Sequence, residues 1–84
     1  MEMTIDQRET VRQLVARILD SNNDTKGFTD TESLIFSGRF QSLDVLDVVV
    51  FLEEHFGLDF SEGFDEARLD SVEEILSLLQ DGAR

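Results

Sequence analysis

Near the N-terminus the apolar positions Val11, Leu14, Val15, Ile18 and Leu19 repeat at the i, i+3, i+4, i+7, i+8 spacing of one helical face, with Arg8, Arg12, Gln13 and Arg17 elsewhere on the wheel. The spacing predicts a first helix over about residues 5–19. From Asp20 to Asp30 the chain turns polar, and Ser21-Asn22-Asn23-Asp24 with Gly27 supplies turn formers, so a loop follows. It is long for a small domain. Phe28, Leu34, Ile35 and Phe36 are the apolar side chains expected to pin it to the core, and the pattern leaves room for a short helical turn near residues 30–36.

Ser42 heads a run, Leu43 to Gly57, that reads as helix two. Val48-Val49-Val50 favours a strand by propensity, but acidic residues flank it at helical spacing and Gly57 is a helix stop. On the wheel Val45, Val48, Val49, Leu52 and Phe56 make one stripe, and Leu43, Leu46 and Val50 make a neighbouring one. One stripe can face the core, so the other is expected to be at least partly exposed, bordered by Asp47, Glu53 and Glu54. An apolar strip with an acidic rim is the pattern of a protein-docking surface.

Phe60 and Phe64 around Ser61-Glu62-Gly63 predict a short third helix or structured turn. Asp70-Ser71-Val72-Glu73-Glu74 is a capping-box start, and Val72, Ile75, Leu76 and Leu79 give a last helix ending before Gly82. The expected fold class is therefore all-α. It is a small bundle of four helices, three main and one short, with a long loop between helices one and two, forming a single domain over residues 1–84 with a helical core at about 5–80.

Composition narrows the chemistry. At 84 residues a large enzyme-type cleft is not expected, and with no cysteine there is no disulfide, no thiolate metal site and no thiol of the protein's own. Any thiol chemistry must arrive on a cofactor. The start Met1-Glu2-Met3-Thr4-Ile5-Asp6 lacks a basic, apolar signal, and the longest apolar run, Val48 to Leu52, is far too short to span a membrane, so a cytoplasmic protein is expected. Net charge is −12, unevenly placed: residues 1–39 carry five basic and seven acidic side chains, residues 40–84 two basic and twelve acidic. A surface this negative repels nucleic acid and anionic lipid and favours basic partners, beside its plain use in solubility.

Gln41-Ser42-Leu43-Asp44, with Leu52-Glu53-Glu54 and Phe56 further on, resembles the modification site and second helix of acyl carrier proteins. The specific part of the likeness spans residues 34–60; outside it the likeness is one of helix pattern. The resemblance implies that Ser42 carries 4′-phosphopantetheine, donated by coenzyme A through a phosphopantetheinyl transferase. It further implies that an acyl, aminoacyl or polyketide-type cargo rides on the arm as a thioester. Loading and transferring enzymes with basic docking surfaces would be the partners of a monomeric carrier that is not itself an enzyme, and Leu43, Leu46, Asp47, Val50, Glu53 and Glu54 the docking residues. That family usually has aspartate where Gln41 stands, and its common glycine lies three residues before the serine, whereas Gly38 lies four before. With Arg39 and Phe40 at the approach to Ser42, these departures imply a specialised member.

Simpler readings compete. Serine is a preferred N-cap, and in that role Ser42→Ala would cost about 1 kcal/mol. An unmodified adaptor of the same fold could use the strip of helix two alone. Ser42 and His55, the only histidine, are thirteen residues apart, about 20 Å along a helix, which rules out a Ser-His pair and leaves His55 at the helix C-terminus or the surface. Asp20, Asn22 and Asp24 match positions 1, 3 and 5 of a calcium loop, but Thr25 replaces the turn glycine and Glu32 comes one residue late, so no metal site is expected.

Overall fold

The computed structural model describes residues 3–82, with side chains described from Gln7 to Asp81. The extreme N-terminal Met1-Glu2 and the C-terminal Ala83-Arg84 lie outside the described residues. Three α-helices follow in order, α1 (Met3–Ser21), α2 (Ser42–Phe56) and α3 (Val72–Gly82), with a 3₁₀ helix at Glu66–Leu69 just before α3. The expected all-helical bundle of three main elements and one minor one is what the chain forms. α3 packs against both α1 and the 3₁₀ helix, and α2 also meets the 3₁₀ helix.

Each predicted stripe supplies one wall of the core. Val11, Leu14, Val15, Ile18 and Leu19 of α1 are buried together with Val45, Val48, Val49 and Leu52 of α2. Leu69 and the α3 residues Val72, Ile75, Leu76 and Leu79 close the cluster, into which the long loop inserts Leu34 and Phe40. The valine run of α2 stays helical because Val48 and Val49 bury on the core side while the helix ends as its sequence indicates. Gly57 adopts φ +73°, its N–H donates to the Glu53 carbonyl at 3.1 Å, and that of Leu58 donates to the Leu52 carbonyl at 3.4 Å.

The loop departs from expectation between residues 30 and 36. No helix forms over residues 30–36, and a single hydrogen-bonded turn comes slightly later, at 35–38, where Gly38 N–H donates to the Ile35 carbonyl at 3.1 Å; ahead of it the backbone N–H groups of Leu34, Ile35 and Phe36 all donate to Asp70 Oδ1, at 3.2, 2.7 and 3.1 Å, and Ser33 Oγ donates to it at 3.0 Å. One carboxylate oxygen thus replaces the carbonyls of a helix turn. Held this way, Phe36 does not anchor the loop; it is 66% exposed, and the pinning falls to buried Leu34 and Phe40 with part-buried Phe28 and Ile35.

Asp70 therefore serves the loop, and the cap of α3 passes to its neighbour. Ser71 Oγ accepts from Glu74 N–H at 3.1 Å, and Ser71 is buried. Asp70→Ala removes the acceptor of the Ile35 and Phe36 N–H groups, while Leu34 N–H keeps its 2.7 Å bond to the Asp70 carbonyl, and should cost about 1–3 kcal/mol, whereas Asp70→Asn, which keeps an acceptor, should cost less. Urea unfolding of the two variants measures the difference.

After α2 the structured turn is the one of the two expected forms that the chain adopts, and one residue of the expected core stripe is less buried. The segment around Phe60 and Phe64 forms a turn with Gly63 at φ +105°, and helical structure starts only at Glu66, where the Asp65 side chain accepts from Ala67 N–H. The two rings meet edge to face at 6.2 Å. Phe56, expected in the core stripe, is only part-buried, because at the last residue of α2 it packs in a T-shape on His55 and Phe51.

Candidate functional site

The start of α2 is built by residues on both sides of Ser42. Gln41, not Ser42, is the N-cap, with extended backbone at φ −97° and ψ 171°. Ser42 is the first helical residue and is exposed, so its hydroxyl lies at the solvent surface and is not the cap. The reciprocal half of the cap comes from Asp44, whose Oδ2 accepts from Gln41 N–H at 2.8 Å. Asp44 is buried, and Asn22 at the exit of α1 donates to the same oxygen at 2.8 Å. The backbone on either side of Ser42 is thereby tied to the end of α1.

Within the first turn the N–H groups of Asp44 and Val45 donate to the Gln41 carbonyl, at 2.9 and 3.2 Å. The N–H groups of Ser42 and Leu43 precede any intrahelical acceptor, and the positive end of the helix dipole adds to them. A phosphate ester on Ser42 would meet that field.

Leu43 is 73% exposed and Leu46 and Val50 are 49% exposed, while Leu52 on the opposite side is wholly buried. Asp47 and Glu54 are exposed beside the strip. Glu53 is partly committed elsewhere: its Oε2 accepts from Phe60 N–H at 3.1 Å and holds the segment after α2. Of the three expected rim carboxylates, two face solvent and the third also has a structural task. His55 is exposed and stacks on Phe51, ring centroids 4.8 Å apart.

Arg39, at the approach to Ser42, is the hub of the long loop. Its Nε and one terminal nitrogen donate to the two oxygens of Asp24, at 2.9 and 3.0 Å, and the other terminal nitrogen reaches Glu32 at 2.7 Å. The carbonyls of Lys26 and Gly27 accept from it at 2.9 and 3.0 Å. Sequence reasoning missed this role, since nothing in the spacing links residue 39 to positions 7 to 15 residues earlier. Two donors of the calcium-loop reading are engaged in these contacts, Asp24 with Arg39 and Asn22 with Asp44. Among the described residues no group of His, Cys, Asp or Glu is placed to hold a metal ion.

These ion pairs set an acid limit. Hydrogen bonds from Arg39 hold the Asp24 carboxyl below its ordinary value. The Thr29 N–H, then Arg39, do the same for Glu32. At Asp30 burial pushes upward, but hydrogen bonds from Arg12 and Arg8 outweigh it and the net direction is down. Carboxyls lowered on folding contribute stability that is complete above their ordinary values of 3.8 and 4.5 and is lost as pH falls through the lowered ones. Thermal unfolding should therefore show a steep acid limb below about pH 4, and Arg39→Met should flatten it.

No helix among the described residues is long and apolar enough to cross a membrane. Comparison with protein-family models, with curated proteins and with solved structures finds no match.

Proposed function

We propose that this protein is a carrier of the acyl carrier type, with 4′-phosphopantetheine on Ser42 and an acyl, aminoacyl or polyketide-type cargo held as a thioester on the arm. The observation that carries the reading is the placement of an exposed serine at the first position of α2, released from capping by Gln41 and Asp44. The chain has no cysteine, so a thiol-bearing arm would supply its only sulfhydryl. Leu43, Leu46 and Val50 with Asp47 and Glu54 form the face that meets the transferase and the loading enzymes, in the cytoplasm, with Glu53 a secondary contributor. The chain itself catalyses nothing in this scheme: it holds the arm and presents it.

An unmodified adaptor would use the same strip, and one experiment separates the two. The protein is incubated with coenzyme A, magnesium and a broad-specificity phosphopantetheinyl transferase, and its intact mass is measured. Gain of one phosphopantetheine supports the carrier; an unchanged mass with intact helical circular dichroism leaves the adaptor.

A further inference from the structure

An arginine side chain has five N–H donors, and the fold uses all five of those on Arg39. Nε and one terminal nitrogen hold the two oxygens of Asp24, and that terminal nitrogen also donates to the Lys26 carbonyl. The other terminal nitrogen donates to the Gly27 carbonyl and to Glu32. Every acceptor lies between residues 24 and 32, in the loop and on no helix. With its side chain only 14% exposed, Arg39 spends its charge inside the loop.

The stretch that Arg39 grips is itself fastened to the bundle. Asp30 accepts from Arg8 and Arg12 of α1, and its carbonyl accepts from Glu73 N–H at the start of α3, at 2.9 Å. Between Arg39 and Ser42 stand two residues. Phe40 is buried and its N–H donates to the Leu34 carbonyl at 2.8 Å, while Gln41 is the cap on which the first turn of α2 closes. Arg39 is thus the polar tie between the run leading into Ser42 and the part of the loop held by α1 and α3.

We infer that Arg39 is a positioning residue for the modification of Ser42: it fixes residues 38–42 so that the hydroxyl stands at one place when the transferase docks. The inference rests on the carrier reading. In that reaction Ser42 Oγ forms a bond to the pantetheine-bearing phosphorus of coenzyme A as the pyrophosphate P–O bond breaks. Adenosine 3′,5′-bisphosphate leaves with the electron pair, and the hydroxyl proton passes to a base of the transferase. Misplacing a reacting atom by about 1 Å can cost about a hundredfold in rate. Leu46, Asp47, Val50 and Glu54 lie further along α2 and none is a hydrogen-bond partner of Arg39, so docking and hydroxyl placement separate. Lysine cannot replace Arg39, because an ammonium has three donors and no planar fork to hold both oxygens of Asp24 while reaching three other acceptors.

The test compares the wild type with Arg39→Met, Arg39→Lys and Leu79→Val, each as the full chain, with coenzyme A, magnesium and a broad-specificity transferase. Leu79→Val is a mild core truncation in α3, and circular dichroism fixes a temperature at which all four are folded. Both Arg39 variants should lower kcat about tenfold and change KM for the carrier less than about threefold, whereas Leu79→Val should keep kcat within about twofold. Because the carrier is the substrate, a smaller folded fraction raises KM and leaves kcat alone, so a merely structural role would not move kcat. Amide hydrogen exchange supplies a second readout: in Arg39→Met the N–H groups of Phe40 and Gln41 should exchange at least about tenfold faster, relative to Val15 of α1, than in the wild type. A wild type that gains no arm would sink the carrier reading and this inference with it. With the wild type modified, four results would each overturn the inference and leave the carrier reading standing: unchanged kcat in Arg39→Met, wild-type kcat in Arg39→Lys, an equal loss of kcat in Leu79→Val, or unchanged exchange at Phe40 and Gln41.

Discussion

Ser42→Ala is expected to abolish the gain of a phosphopantetheine while leaving the melting temperature close to that of the wild type. The arm can be attached only to a hydroxyl, and Ser42 presents one at the exposed first position of α2. Were Ser42 the N-cap, its loss would cost about 1 kcal/mol. Because Gln41 occupies the cap and Asp44 closes it from the third position, the change should stay within about 0.5 kcal/mol. Intact mass after the transferase reaction reads the first effect and thermal unfolding the second. A variant that still gains the arm would move the site, with Ser37, in the exposed turn before α2, next in line. By contrast Asn22→Ala or Asp44→Ala should perturb the start of α2 itself, since the first removes a donor from a buried carboxylate and the second removes the carboxylate.

Leu52→Ala and Leu46→Ala should behave as opposites, although the residues lie on one helix six positions apart. Leu52 is wholly buried in the main cluster, and truncating it should cost about 2–5 kcal/mol, a large part of what holds so small a domain together. The melting temperature should fall by at least about 10 °C. Leu46 is half exposed, so its truncation should change stability by no more than about 0.5 kcal/mol while slowing modification by the transferase. Urea unfolding paired with transferase kinetics measures both. A folded Leu52→Ala protein beside an unfolded Leu46→Ala protein would contradict the assignment of the two faces of α2.

The rim charges divide in a related way. Glu54→Lys should alter partner encounter with the fold intact, because Glu54 is exposed, whereas Glu53→Lys should also loosen the segment after α2, because Glu53 accepts from Phe60 N–H. Both residues read identically in sequence as acidic neighbours of the strip. Their difference depends on where the chain goes after Gly57.

What could be read from the residues was whatever depends on local periodicity. The stripes at helical spacing named the core of α1, α2 and α3 almost residue by residue, because burying an apolar side chain is favourable whichever neighbour covers it. The exposed strip at Leu43, Leu46 and Val50 followed from the same arithmetic, since one helix cannot bury two stripes against one core. What escaped was long-range and polar. Asp70 gathers donors from residues 33–36, Arg39 ties Asp24 to Glu32, and Asp44 joins Asn22 to Gln41. Hydrogen-bonding groups require a particular partner in a particular direction, and that partner is chosen only when distant segments meet. Amino-acid order thus dictated which faces must be hidden, and packing of the whole chain dictated which polar group holds which, including the release of Ser42 from capping.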